Sequence, residues 1–350
     1  MRPLHLKSVL DKELSSAPDG HHTPVMIWGP PGIGKSRLVT SVAVSRSVPV
    51  IDLRLSQLEP SDLRGIPFRI DAMVEWAIPR MLPDTKRHGP VGILFLDEIT
   101  SALPSVAAAA YQLILDRSLG EYQVPNGWVI FAAGNRQGDR GVTYAMPSPL
   151  ANRFTHFSFD TNLDDWVAWA HQNHIDERII AFLRFRPELL LDFDPAVDPV
   201  AFPTPRSWEF AHHALKKFDS QEADVLADTL QACVGKAAGI ELSAFIDNLM
   251  NLPDIEAIVS GADVPVPESI DLQYAVASSL VGHAVRAVDT AEQNATLGSI
   301  LNYAGRFPQK EMGVMLVSDI HRAIGEPLFT VPQFQDWANQ ISDVMLFDSE

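Results

Sequence analysis

The sequence predicts a doubly wound parallel α/β sheet of five strands, followed by an α-helical part. Five short apolar segments before residue 160 have the length and composition of buried parallel strands, and helical segments separate most of them. A glycine-rich loop, GPPGIGKS, directly follows the first of these segments. Beyond residue 160, apolar residues recur at helical spacing. We therefore predict an α/β domain over residues 1–160, a helical domain over 161–250 and a helical C-terminal region over 251–350.

The elements of the first domain follow from their apolar patterns. Residues 4–15 are predicted to form an amphipathic helix, and residues 103–118 a second helix. The five predicted strands cover residues 25–28, 48–55, 92–97, 128–133 and 154–159. Between Gly65 and Leu82, two short apolar segments surround a tight turn. This pattern predicts a β-hairpin at residues 67–79, inserted in the second crossover of the sheet.

The rest of the chain has mostly helical periodicity. Four segments with this spacing cover residues 163–174, 176–185, 205–218 and 222–250. A stretch rich in proline and aspartate at 253–271 is predicted to be a linker or an edge segment, and further helices follow to Ser349. Three tryptophans at helical spacing are expected to pack in the core rather than to stack on bases; they are Trp166, Trp169 and Trp208.

The composition favours a protein of the cytoplasm. The chain has 350 residues, with 27 basic and 44 acidic side chains and a formal net charge of −17. Such a chain repels nucleic acid and anionic membranes on average, although a local basic patch could still bind either. The single cysteine, Cys233, cannot form an intramolecular disulfide, which fits a reducing compartment. Neither a signal peptide nor a run of about 18 apolar residues occurs, so we expect no membrane span.

The loop GPPGIGKS has the residues needed to hold phosphates. Gly29-x-x-x-x-Gly34-Lys35-Ser36 matches the phosphate-loop pattern, with a strand and a helix on the correct sides. Glycines let backbone N–H groups converge on the β-phosphate, Lys35 can reach the β- and γ-phosphates, and the Ser36 hydroxyl can hold Mg²⁺. The alternative, a chance glycine turn beside a surface lysine, leaves the flanking elements unexplained. The predicted nucleotide-binding residues of the loop are Gly29, Pro30, Pro31, Gly32, Ile33, Gly34, Lys35, Ser36 and Arg37.

Polar residues follow two later strands. The apolar strand ILFLD ends at Asp97 and is followed by Glu98, which puts both carboxylates at the edge of the sheet where ligands bind. Asp97 would hold Mg²⁺ through water, and Glu98 could polarise the attacking water as a general base. Asn135 follows another apolar strand and could orient that water. The alternatives are a solvated acidic turn and an asparagine that only caps a turn.

Together these three elements resemble those of the AAA+ ATPases. GPPGIGKS corresponds to Walker A, LFLDE to Walker B and Asn135 to sensor 1. Three further segments resemble the MoxR-type branch: residues 55–67, the hairpin at 67–79 as its helix-2 insert, and the stretch FAAGNRQGDRGVTYAMPSPLANRF as its run from sensor 1 to the arginine finger. The resemblance covers about residues 20–215 and implies ATP and Mg²⁺ as cofactors.

The resemblance also assigns two arginines. Arg153 matches the arginine finger, which would reach the γ-phosphate held by a neighbouring subunit. Arg136 and Arg140 are rival fingers, and an ordinary surface arginine is the alternative for Arg153. Arg206 matches sensor 2, in a helix that Thr204 would cap and Pro205 would begin.

The family implies an oligomer, usually a hexamer, that remodels or activates a partner protein, often one with a von Willebrand factor A domain. A nucleic-acid motor is the main alternative, for which the loops at 87–90 and 117–128 would have to be basic. A small-molecule kinase is less favoured, because no acceptor pocket can be identified.

The histidines are predicted to have no functional role. His171 and His174 lie three residues apart on a predicted helix, but no carboxylate or cysteine set completes a metal site. We therefore expect both at the surface, and we assign no site to the pairs at 21–22 and 212–213.

Overall fold

A computed structural model describes residues 1–71, 73–136, 138–139, 143–194 and 200–345. The chain divides into two compact units, residues 1–161 and 162–350. No helix in these described ranges is long and apolar enough to cross a membrane. The predicted boundary near residue 250, between the helical domain and the helical C-terminal region, stays a prediction.

The first unit alternates strands with helices. In chain order its elements are α1 (Pro3–Ser16), β1 (Val25–Trp28), α2 (Lys35–Arg46), β2 (Val50–Arg54), α3 (Pro60–Arg64), β3 (Ile66–Ile70), β4 (Met73–Ala77), α4 (Thr85–His88), β5 (Val91–Asp97), α5 (Pro104–Asp116), β6 (Ser118–Leu119), β7 (Tyr122–Gln123), β8 (Gly127–Gly134), α6 (Ser148–Ala151) and β9 (Thr155–Ser158). All five predicted strands are present: β1 has the predicted bounds, and the ends of the other four lie within two residues of the prediction.

Five strands form one parallel sheet in the order β2-β5-β8-β1-β9, which confirms the predicted fold class. The strand β8 is buried along its whole length, as expected for a strand with helices on both faces. The register pairs Arg54 of β2 with Asp97 of β5, and Trp28 of β1 with Gly134 of β8. The carboxyl ends of these strands therefore lie at one edge of the sheet.

The predicted hairpin is present as a separate antiparallel pair, β3 and β4. Both of its ends are anchored in the core of the first unit, because Leu63 before it and Leu82 after it are fully buried. At its neck the backbone of Gly65 has φ +83°, and a Cβ there would lie 1.9 Å from the carbonyl oxygen of Ala77. Only glycine fits at this position. The short pair β6–β7 was not predicted, because two-residue strands leave no periodic pattern.

The second unit is helical. Its helices are α7 (Leu163–Gln172), α8 (Glu177–Phe185), α9 (Pro205–Lys217), α10 (Ala223–Val234), α11 (Lys236–Asn248), α12 (Ile255–Val259), α13 (Ile270–Ala287), α14 (Gln293–Ala304), α15 (Lys310–Ile324) and α16 (Pro332–Met345). One apolar cluster joins α7 to α11 and a second joins α12 to α16, with α13 contributing to both. Trp166 and Trp208 are buried in the first cluster and Trp169 packs against it, so the core assignment of the tryptophans is confirmed.

Two sequence-based expectations for this unit need correction. The stretch at 253–271 is not simply a linker, because it contains α12, whose Ile258 is 1% exposed in the second cluster. His171 is not a surface residue either. It is 5% exposed, whereas His174 is exposed as expected. The helix α7 packs against three helices, α8, α13 and α15. Its buried surface therefore includes polar positions such as His171 as well as its apolar residues.

Candidate nucleotide site

The phosphate loop occupies the turn between β1 and α2. Gly32 and Gly34 have φ angles of +80° and +99°, a backbone conformation that favours glycine. Gly34 is the N-cap residue of α2, no side chain caps this helix, and its first turn contains no acidic residue. The N–H groups at the start of α2 are therefore directed toward the place where an anion would bind.

Lys35 connects the loop to the end of β8. Its Nζ donates hydrogen bonds to the carbonyl oxygens of Gly29 at 2.5 Å and Pro30 at 2.9 Å. A third bond, 3.0 Å long, goes to Oδ1 of Asn135. The structure thus brings together the lysine and the asparagine that the sequence separates by a hundred positions.

Ser36 and Asp97 meet at the same edge. The Ser36 hydroxyl donates to Oδ2 of Asp97 at 2.6 Å, and the other carboxylate oxygen of Asp97 accepts the N–H of Glu98 at 2.8 Å. A hydroxyl and a carboxylate at this distance fit a Mg²⁺ ion that takes its remaining ligands from phosphate and water. No group of three or more His, Cys, Asp or Glu suited to a metal occurs in the described ranges, so the chain alone does not complete a cage.

Glu98 lies beyond the end of β5 with a different environment from Asp97. Asp97 is 8% exposed, whereas Glu98 is exposed and has φ +56°. Its Oε2 accepts a hydrogen bond from the hydroxyl of Ser56. The carboxylate of the predicted general base is therefore held by a residue that follows β2.

Three residues of this site were missed in the sequence. Ser56 holds Glu98, and the Thr100 hydroxyl accepts the N–H of Asn135 at 3.1 Å. Asp52 lies on β2, where partial desolvation and then the Asp97 carboxylate raise its pKa above the usual range. The only signal for these residues was that predicted parallel strands bring their carboxyl ends together.

The candidate arginine fingers differ in their surroundings. Arg153 follows α6, is exposed, and its side chain has no hydrogen-bond or ion-pair partner among the residues that the structure describes. Arg136 instead donates to Ser158 and, at 3.3 Å, to Asp160 within its own unit. Arg140 lies outside the described residues.

Arg206 belongs to the second unit. The predicted helix start is confirmed, because Thr204 accepts the N–H of Ser207 at 3.0 Å and Pro205 begins α9. Arg206 lies in the first turn and is exposed. Its predicted contact with the nucleotide stays a prediction.

Comparisons with known proteins agree with this geometry. Residues 25–159 match the family model described as "ATPase family associated with various cellular activities (AAA)". The denitrification regulatory protein NirQ of Stutzerimonas stutzeri is 28% identical over 148 residues, which are 40% of this chain and 52% of NirQ. The chain thus matches about half the length of that curated relative.

A solved structure was also matched, a "putative ATPase" from Cytophaga hutchinsonii. It is 15% identical, with 90% of this chain and 80% of that chain covered, at a TM-score of 0.32. A superposition this loose carries no argument about this chain. The family match and the geometry agree: residues 25–159 match the AAA ATPase model, and within them Lys35 contacts Asn135 and Ser36 contacts Asp97.

Proposed function

We propose that this chain is a MoxR-type AAA+ ATPase that hydrolyses ATP as an oligomeric ring, a hexamer, and uses the energy to remodel or activate a partner protein. The observation that carries the proposal is Arg153, an exposed cation without a partner in the described part of its own chain. The other two predicted catalytic residues of this chain, Glu98 and Asn135, lie at one edge of the parallel sheet, close to Lys35, Ser36 and Asp97.

The roles of the residues follow from their chemistry. Lys35 and the first N–H groups of α2 bind the β- and γ-phosphates, and Ser36 and Asp97 hold Mg²⁺. The metal ion, when bound, neutralises charge on the phosphate oxygens. Glu98 accepts a proton from the attacking water, and Asn135 orients that water. Arg153 of the neighbouring copy stabilises the charge that develops on the transferred phosphoryl group.

A protein partner is favoured over nucleic acid by the charges of the first unit. In the loops at 87–90 and 117–128, which a nucleic-acid motor would use, the arginines already have partners. Arg87 pairs with Asp84, and Arg117 donates to the carbonyl oxygens of Pro125 and Trp128. The hairpin β3–β4 exposes apolar side chains instead of a basic stripe. A partner with a von Willebrand factor A domain, and a regulatory task like that named for NirQ, are parts of this proposal.

A mixing experiment tests catalysis between copies. Arg153→Ala keeps the phosphate loop and should bind ATP normally, but its hydrolysis should fall by up to about a thousandfold. Lys35→Ala has the opposite defect. Mixed rings of the two variants contain some interfaces with an intact loop and an intact finger, so activity should partly return. A sizing column first checks that both variants assemble; mixed rings without recovery, or normal hydrolysis by Arg153→Ala alone, would contradict the proposal.

A further inference from the structure

The hairpin β3–β4 presents an unusual apolar surface. Every residue of β3 and four of the five residues of β4 are exposed. Its strands pair with each other and with no other strand in the described part of the chain. The large apolar side chains are Ile66, Phe68, Ile70, Met73, Val74 and Trp76, exposed by 40–67%. Because an isolated two-stranded hairpin is barely stable in water, such a surface indicates a partner that covers it.

The apolar side chains lie on both faces of the hairpin. The register pairs Ile70 with Met73 on one face, whereas Val74 and Trp76 lie on the other. A flat surface would cover only one of these faces. An extended segment that adds as a third strand packs against both, because its alternating side chains lie beside Met73 on one face and beside Val74 and Trp76 on the other.

The two outer edges of the hairpin are not equivalent. The strand β3 contains Pro67, which has no N–H and is typical of an edge that does not receive another strand. The strand β4 has no proline, so Met73–Ala77 offers a complete row of backbone donors and acceptors. The edge of β4 is therefore the one suited to strand addition.

The neck of the hairpin is cationic. Gly65 and Pro79 are in contact there, since a Cβ on Gly65 would lie 3.3 Å from Cδ of Pro79. Arg64 and Arg80 flank these two residues. Both are exposed, and neither has a hydrogen-bond or ion-pair partner within the described ranges.

Several other exposed or half-buried arginines of the chain are paired. Arg46, Arg178 and Arg286 each form an ion pair with a carboxylate. In a chain of net charge −17, two unpaired arginines beside an apolar hairpin favour a partner that brings its own carboxylates.

We infer that the free edge of β4 binds an extended segment of the partner protein as a third strand parallel to β4. Because β4 runs from the turn at Met73 to the neck at Ala77, the C-terminal end of that segment then lies at the neck, where its carboxylates pair with Arg64 and Arg80. The inference rests on the proposed function in that the segment belongs to the protein to be remodelled. It assigns a chemistry to the segment: alternating apolar residues followed by acidic ones.

Three fluorescent peptides test the inference on the full chain without nucleotide. The first alternates valine and threonine over ten residues and ends in two glutamates. The second ends in two lysines, and the third keeps the glutamates but is N-methylated at alternate valines. Fluorescence anisotropy should show that the glutamate peptide binds, and that the lysine and N-methylated peptides bind about tenfold more weakly. Equal binding of the three peptides, or no binding of the first, would overturn the inference.

Protein variants identify the surface. The double variant Arg64→Glu/Arg80→Glu should prefer the lysine peptide, whereas Lys12→Glu/Lys236→Glu, with the same change in charge elsewhere, should keep the wild-type preference. An unchanged preference in the first variant would overturn the inference. So would a change in oligomer size with no change in peptide binding, because the hairpin would then join copies of the chain. The peptide-binding measurements contain no nucleotide and do not depend on ATP hydrolysis. They therefore test the inference even if the chain proves to have no ATPase activity.

Discussion

At the scale of single residues, Lys35 and Glu98 have separate tasks that two variants distinguish. Lys35→Ala removes the charge-assisted bonds to phosphate and should weaken ATP binding by about a hundredfold. Glu98→Gln should bind ATP normally but hydrolyse it about 10²–10⁴ times more slowly, because only the proton acceptor is lost. Calorimetry and phosphate release measure the two effects. The control is Ser45→Ala, which removes a hydroxyl that donates to the carbonyl oxygen of Val42 on α2. Hydrolysis at the wild-type rate by Glu98→Gln would show that Glu98 is not the general base.

Ser56 provides a second prediction at this scale. Its hydroxyl holds the Glu98 carboxylate, so a carboxylate released from this bond is freer to accept a proton from water. We expect Ser56→Ala to raise kcat by up to about tenfold, the size of one hydrogen bond to a charged group. Steady-state hydrolysis at saturating ATP is the measurement. A lower kcat would mean that the bond positions Glu98 for catalysis instead.

Only some residues of the site could be predicted from the sequence. Lys35, Ser36 and Asp97 could be predicted because each belongs to a continuous segment with its own pattern. Ser56 and Thr100 could not, since their partners come from neighbouring strands and the register of those strands is set by tertiary packing.

At the scale of elements, the hairpin neck depends on Gly65. Gly65→Ala places a Cβ 1.9 Å from the carbonyl oxygen of Ala77. It also puts alanine in a backbone conformation of positive φ, which is strained for any residue with a Cβ. Gly20→Ala is the matched control, because Gly20 has φ +72° but no atom within 4 Å of an added Cβ. We expect hydrogen exchange across β3 and β4 to become at least about tenfold faster in Gly65→Ala only. Equal protection in both variants would show that the neck adapts.

The helix α7 makes stability depend on pH. Burial, and secondly the nearby Arg184, lowers the pKa of His171 to about 4 from 6.5. Between these values the unfolded chain binds a proton that the folded chain does not, so stability falls as the pH drops from 6.5 to 4, by about 3 kcal/mol in all. His171→Gln should flatten this part of the curve in urea unfolding, whereas His174→Gln should leave it unchanged. The same slope in both variants would contradict the prediction.

The same histidine explains a limit of sequence-based analysis. The polar face of α7 was predicted to be solvated, but a helix packed by three others has almost no solvated face. The apolar periodicity predicted the helix α7 and placed its ends to within two residues. It could not predict how many other helices pack against α7.

At the scale of the whole molecule, the exposed Arg153 predicts association in the presence of nucleotide. We expect light scattering to detect hexamers with a slowly hydrolysed ATP analogue and smaller species without it. Arg153→Ala should form fewer hexamers, because the contact with the γ-phosphate of the next copy is lost. A strict monomer that still hydrolyses ATP rapidly would rule out the ring.

The bonds of Lys35 have a consequence for the catalytic cycle. The Lys35 ammonium group donates to Gly29, Pro30 and Asn135, so in the proposed function ATP exchanges these three acceptors for its own phosphate oxygens. Binding is then a competition, which lowers affinity. In the proposed cycle, the same three acceptors take the ammonium group again as ADP departs, and the empty loop returns to the geometry described above.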